Sequence, residues 1–126
     1  MKIIAPLWAR IIVGLMGLAL AVSSLIGGGF TTPGLSTDTS APLNAGYIYN
    51  SRNASLGVAM LIAAGFGAPE AIAATMIARF MLEITDRVAM SPLYPTITAG
   101  NLLPPLIPAL IELSIAIFML RLIFKK

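Results

Sequence analysis

Residues 78–87 read ARFMLEITDR, from Ala78 to Arg87, and place Arg79, Glu83, Asp86 and Arg87 inside a run that is otherwise Ala, Phe, Met, Leu, Ile and Thr. How these charges are accommodated decides the fold. Period-2 alternation is missing, so the stretch does not read as a strand. At 100° per residue, Arg79, Glu83 and Asp86 fall within about 60° of one another, and Ile72, Thr75 and Met76 continue the same stripe. The segment therefore reads as a helix with one charged face.

The rest of the chain defines the solvent for that helix. Its 126 residues are 58% hydrophobic and only 10% charged, too few polar side chains to cover a surface in water. A lipid bilayer fits this composition. Four apolar stretches, near 6–27, 45–67, 70–90 and 104–124, are separated by Gly, Pro, Ser, Thr and Asn. Each approaches the roughly 20 residues that a membrane-crossing helix needs, about twice the length of a barrel strand. The expected fold class is all-α, an integral membrane four-helix bundle forming a single domain over 1–126. Gly67-Ala68-Pro69 leaves room only for an antiparallel hairpin of the second and third helices. Pro6 suits a first helical turn, and Pro104, Pro105 and Pro108 fall where the fourth helix is expected to begin, with Pro108 able to kink it. A competing reading makes Met1 to about Ser24 a cleaved signal peptide, with Ala21-Val22-Ser23 as the cleavage site. Against it, the run from Ile11 to Ile26 is long for a signal core, and Gly14, Gly17 and Ala21 form a small-residue face suited to helix packing.

The net charge of +3 comes largely from Lys2, Arg10, Arg121, Lys125 and Lys126. Their clustering toward the two ends suits anionic head groups rather than nucleic acid, for which no basic stripe with interleaved aromatics exists. The loop 28–44 carries only Asp38 and the loop 91–103 carries no charge. Both termini are therefore expected in the cytoplasm, with the chain in the plasma (inner) membrane. There is no Cys and no His. Thiolate chemistry, Cys/His zinc sites, His-ligated haem and imidazole-based triads are excluded within this chain, and no catalytic, metal or cofactor site is assigned.

An Arg or Asp at the centre of a span costs about 2.5–3.5 kcal/mol and each Leu, Ile or Phe returns only about 0.3–0.6 kcal/mol, so the third helix needs partners. Glu83 stands four residues before Arg87, the favoured order for a helical ion pair, whereas Arg79 before Glu83 is the less favoured order. Counting outward from the hairpin turn puts Arg52 level with Glu83 and Ile84. Arg52 shares a face with Ala45, Tyr49, Ala59 and Ala63, and Ala59, Ala63 and Gly67 recur every four positions, as expected for close helix approach. Glu112 adds an acid at similar depth, about a third of the way into the fourth helix. Arg52, Arg79 and Arg87 would then balance Glu83, Asp86 and Glu112 in a nearly neutral network, with Tyr47, Tyr49, Asn50 and Asn53 lining a polar pocket toward the outer face.

The candidate ligand or network residues are Arg52, Arg79, Glu83, Asp86, Glu112, Tyr49 and Asn53. Such a network could serve only to fix helix register. Functionally, it suits a non-enzymatic membrane protein that binds a partner subunit, a homo-oligomeric copy or a small amphipathic ligand. The alternatives are a small transporter or permeation component, which needs a wettable inner path where Ile72, Thr75 and Met76 stand, and a membrane oxidoreductase subunit. The sequon Asn53-Ala54-Ser55 lies too deep in the second helix for glycosylation. Trp8 and Tyr94 read as interfacial anchors, and the seven methionines as core filling.

The stretch Ser51-Arg52-Asn53-Ala54-Ser55-Leu56-Gly57, followed by Leu82-Glu83-Ile84-Thr85-Asp86, resembles the small four-helix membrane proteins of the DoxX-like group. In that group an Arg followed by Asp or Asn, then Leu-Gly, opens the second helix, and an acidic residue closes the third. Arg52-Asn53, Leu56-Gly57 and Asp86 hold those positions here. The resemblance implies a compact four-helix bundle and leaves the biochemical role open. Some members are subunits of membrane oxidoreductases, an activity to which a chain without Cys or His lends no support.

Overall fold

The computed structural model describes residues 3–26, 43–90 and 99–125; the side chains of 25, 43–49, 87–90 and 99–105 lie outside that description. Among the described residues the chain is all-helical: α1 Leu7–Leu25, α2 Leu43–Phe66, α3 Pro69–Met90 and α4 Ala99–Phe124. The helices have 19, 24, 22 and 26 residues, about 29–39 Å at 1.5 Å per residue. By length and composition alone, α1 over Leu7–Ser24 and α4 over Leu106–Phe124 are apolar enough to cross a membrane.

The α2–α3 turn has a local cause. Gly67 takes a left-handed φ of 63° and its N–H donates to the Ala63 carbonyl at 3.0 Å, closing α2. Glycine pays no Cβ penalty there. Pro69, at the first position of α3, loses nothing by lacking an N–H. The segment before α1 then fastens this turn, because Ala5 N–H donates to the Gly67 carbonyl at 2.8 Å. Arg10 adds two bonds, Nε to the Ala64 carbonyl at 2.8 Å and Nη2 to the Gly65 carbonyl at 2.9 Å. This corrects the assignment of Arg10 to lipid head groups. The last carbonyls of α2 lack intrahelical donors, and a guanidinium fork satisfies two of them while its charge meets the negative end of the helix dipole.

α1 packs most extensively along α2, and α3 along α4, with the shorter α2–α3 seam joining the two pairs. The α1–α2 seam is a backbone contact. A Cβ on Gly57 would stand 2.6 Å from the Gly17 carbonyl oxygen and 2.7 Å from the Ala21 nitrogen; one on Gly17 would stand 2.7 Å from the Gly57 carbonyl oxygen. The small face of Gly14, Gly17 and Ala21 is thus used, since Gly14 also faces the Ala64 methyl group. On α2 this close approach is made at Gly57 and Ala64, which are not members of the Ala59, Ala63, Gly67 series. Ala63 points into the shared core, and Gly67 belongs to the turn.

All four helices contribute to one core: Ala9 and Val13 from α1, Met60 from α2, Ile72 and Met76 from α3, and Ile115 and Met119 from α4. The methionines fill this centre at Met60, Met76 and Met119, whereas Met81 is exposed. Trp8 packs edge-on against Phe118 with ring centroids 5.2 Å apart. That contact and the Ala5–Gly67 bond bring the start of α1, the α2–α3 turn and the end of α4 to the same end of the molecule.

Several boundaries differ from expectation, and α2 begins at Leu43 rather than 45. α1 ends at Leu25 rather than 27, and α4 begins at Ala99 rather than near 104. Pro104, Pro105 and Pro108 therefore lie within α4, where proline φ is helical and the cost is the backbone donors they lack. The earlier start makes Glu112 a mid-helix residue rather than one a third of the way in. The loops 28–42 and 91–98, including Asp38 and Tyr94, lie outside the described residues.

Candidate functional site

Arg79 is the centre of the site. Its guanidinium reaches three helices: Nη1 faces Asn53 Oδ1 of α2 at 3.5 Å, Nη2 donates to Glu83 Oε1 one turn along α3, and Nε faces Glu112 Oε1 of α4 at 3.2 Å. The (i, i+4) pair that forms is thus Arg79–Glu83. The Glu83–Arg87 order favoured in isolated helices involves a side chain outside the described residues. Intrahelical preference is a few tenths of a kcal/mol, and burial among three helices outweighs it.

A second pair stands beside this cluster. Arg52 Nη2 donates to Asp86 Oδ2 at 2.6 Å, joining α2 to α3. The acid that Arg52 meets is thus Asp86, two residues beyond Ile84 and three beyond Glu83, with which the hairpin count levels it. A charge swap tests the pairing. Arg52→Asp with Asp86→Arg is expected to recover most of the thermal stability lost in either single variant, whereas Arg52→Glu with Glu83→Arg is expected to recover none. The single-variant losses should be about 1 kcal/mol, because the pair is partly open to solvent. Recovery by the Glu83 swap instead would reassign the partner.

Side-chain exposure rises from one group to the next: 0% for Glu112, 11% for Arg79, 18% for Glu83, 21% for Asp86 and 36% for Arg52. Enclosure is thus greatest at Glu112 in the middle of α4 and least at the partly open Arg52–Asp86 pair. Asn53 is buried against Arg79, which removes its amide from any glycosylation chemistry. Below these groups, Ile72, Met76, Met60 and Met119 have no exposed surface, while Thr75 Oγ1 turns back to the Ala71 and Ile72 carbonyls at 3.0 Å. Six of the seven candidate residues are thus engaged in two groups, Arg79 with Asn53, Glu83 and Glu112, and Arg52 with Asp86. The side chain of Tyr49, like those of Tyr47 and Arg87, lies outside the described residues.

Glu112 is the anomalous member. Its carboxylate is fully enclosed, its Oε1 approaches Arg79 without hydrogen-bond alignment, and its Oε2 has no hydrogen-bond partner. Buried polar atoms are nearly always paired, so an orphaned carboxylate oxygen calls for a specific explanation. Among the described residues no group of three or more acidic, His or Cys side chains is placed to hold a metal ion. The chain matches no known family model, no curated protein and no solved structure.

Proposed function

We propose that this chain is an integral membrane four-helix bundle that binds a small amphipathic ligand at the Arg79 network and catalyses no reaction. The observation that carries the ligand-binding reading is the enclosed Glu112 carboxylate, whose second oxygen no donor among the described residues meets. The membrane reading is supported by the inverted arrangement of side chains. Ile11, Leu18, Ile62, Ile77, Leu110 and Ile117 face outward while Glu112 and Asn53 face inward. Water would not solvate such an exterior, whereas lipid would. The hydroxyls of Ser23, Ser24, Thr75, Thr85 and Ser114 donate to carbonyls one turn back in their own helices, which satisfies them where water is absent. Arg121 and Lys125 lie at the α2–α3-turn end, the end proposed to face the cytoplasm.

Binding is favoured over permeation by the apolar closure below the network, where Ile72, Met76, Met60 and Met119 stand enclosed among the described residues. The test is native mass spectrometry of the gently solubilised protein beside its Glu83→Ala and Glu112→Gln variants. A retained small molecule whose occupancy falls in both variants is the expected result. A stoichiometric partner polypeptide with no small molecule would make the network an assembly feature. Solute uptake into liposomes that is lost in Glu83→Gln would replace binding with transport.

A further inference from the structure

We infer that the ligand is a monovalent organic cation carrying N–H donors, a protonated amine on an apolar body, held through the Glu112 carboxylate with Glu83 beside it. This rests on reading the network as a ligand site, and it follows from counting charge and donors.

Arg52 and Asp86 neutralise each other. Deeper in, a single guanidinium, that of Arg79, stands between two carboxylates, Glu83 and Glu112. The inner cluster of described side chains is therefore one positive charge short when its acids are ionised. Arg79 cannot make up the difference by geometry, because its Nη2 is engaged by Glu83, its Nη1 faces Asn53, and its Nε approaches only one oxygen of Glu112. Glu112 Oε2 remains without a donor in a position no bulk water reaches. A buried carboxylate in that condition is strongly unfavourable and takes up either a proton or a counter-cation; in the ionised form the two deficits, one charge and one donor, sit on the same group.

Each class of ligand meets these deficits differently. A carboxylate or phosphate would add a negative charge to an already negative cluster. A neutral alcohol would donate to Oε2 and leave the charge unmet. A metal ion needs several oxygen ligands at once, and no described group of three acidic side chains is placed to supply them. A protonated amine supplies both the charge and the donor, and charge-assisted N–H···O bonds are about twice as strong as neutral ones.

The probe is octylammonium, titrated into the purified chain in nanodiscs of zwitterionic phosphatidylcholine with binding read by calorimetry and by thermal shift. Octyltrimethylammonium, which keeps the charge without N–H donors, octanol and octanoate serve as comparators of equal chain length. Octylammonium is expected to raise the melting temperature and to bind about tenfold or more tightly than octyltrimethylammonium or octanol, with octanoate not binding. The same loss of about tenfold or more is expected in Glu112→Gln. Affinity should be unchanged in Glu70→Gln, an exposed position in the first turn of α3 outside the network. The comparators act on the unaltered chain, so the result does not depend on any variant folding. If octanoate or octanol binds more tightly than octylammonium, the cation assignment is overturned while the ligand site stands. If none of the four binds and no small molecule is retained in native mass spectrometry, both readings fall.

Discussion

Gly57→Ala will unfold or separate the α1–α2 pair, and it is expected to be among the most damaging single-methyl additions available in this chain. The new methyl carbon would stand 2.6 Å from the Gly17 carbonyl oxygen and 2.7 Å from the Ala21 nitrogen. Both obstacles are backbone atoms, which no rotamer change can move. Relief requires the two helices to part, which loosens the seam along which Gly14, Gly17 and Ala21 meet α2. Overpacking a core typically costs about 1–3 kcal/mol, and a backbone obstacle places this variant at about 3 kcal/mol or beyond. Gly65→Ala is the matched control, because a Cβ there meets nothing within 4 Å. That substitution should stabilise α2 by about 0.5–1 kcal/mol through helix propensity. Thermal unfolding of the two variants in nanodiscs checks the contrast, and equal melting temperatures would show that α1 and α2 do not touch at Gly57.

Arg79→Ala is the second large effect, and its cause is electrostatic. The substitution leaves Glu83 and Glu112 facing each other across α3 and α4 without a counter-charge, and it removes the group that Asn53 faces. Breaking a buried pair by deleting one partner costs about 3–5 kcal/mol, so folded yield and melting temperature should both drop sharply. The informative companion is the triple variant Arg79→Met, Glu83→Met, Glu112→Met. Replacing a whole buried ionic cluster by apolar groups of similar size is often neutral or stabilising, so this variant should regain the parent melting temperature. It should also lose the ligand. A triple variant as unstable as Arg79→Ala would show that the network sets helix register.

Much of this architecture was legible along the chain. Gly67 and Pro69 punctuate it where α2 gives way to α3, and each does so through a property of a single residue, positive φ in one case and a missing N–H in the other. The shared face of Arg79 and Glu83 follows from the helical repeat, and the ion pair forms on that face. Glu112 was identifiable as a candidate because an acid inside an apolar run needs a partner. The start of α4 was less legible: Pro104 and Pro105 usually mark a boundary, yet the helix runs through them from Ala99.

The number and order of the helices, the tight hairpin, the segregation of charge to one face of α3 and the absence of imidazole and thiol chemistry all follow from local composition and the 3.6-residue repeat. Partner choice between helices does not. Moving one residue along a helix shifts a side chain by about 1.5 Å and rotates it by about 100°, so a small error in register exchanges one partner for another. Counting from the hairpin put Arg52 opposite Glu83, and the packed helices put it on Asp86. Arg10 was grouped with the charges that meet lipid, and the end of α2, 54 residues away in sequence, claims it as a cap. The meeting of Gly17 with Gly57, and the orphaned oxygen of Glu112, likewise exist only once four helices are set side by side, because each depends on a distance between segments that no periodicity encodes.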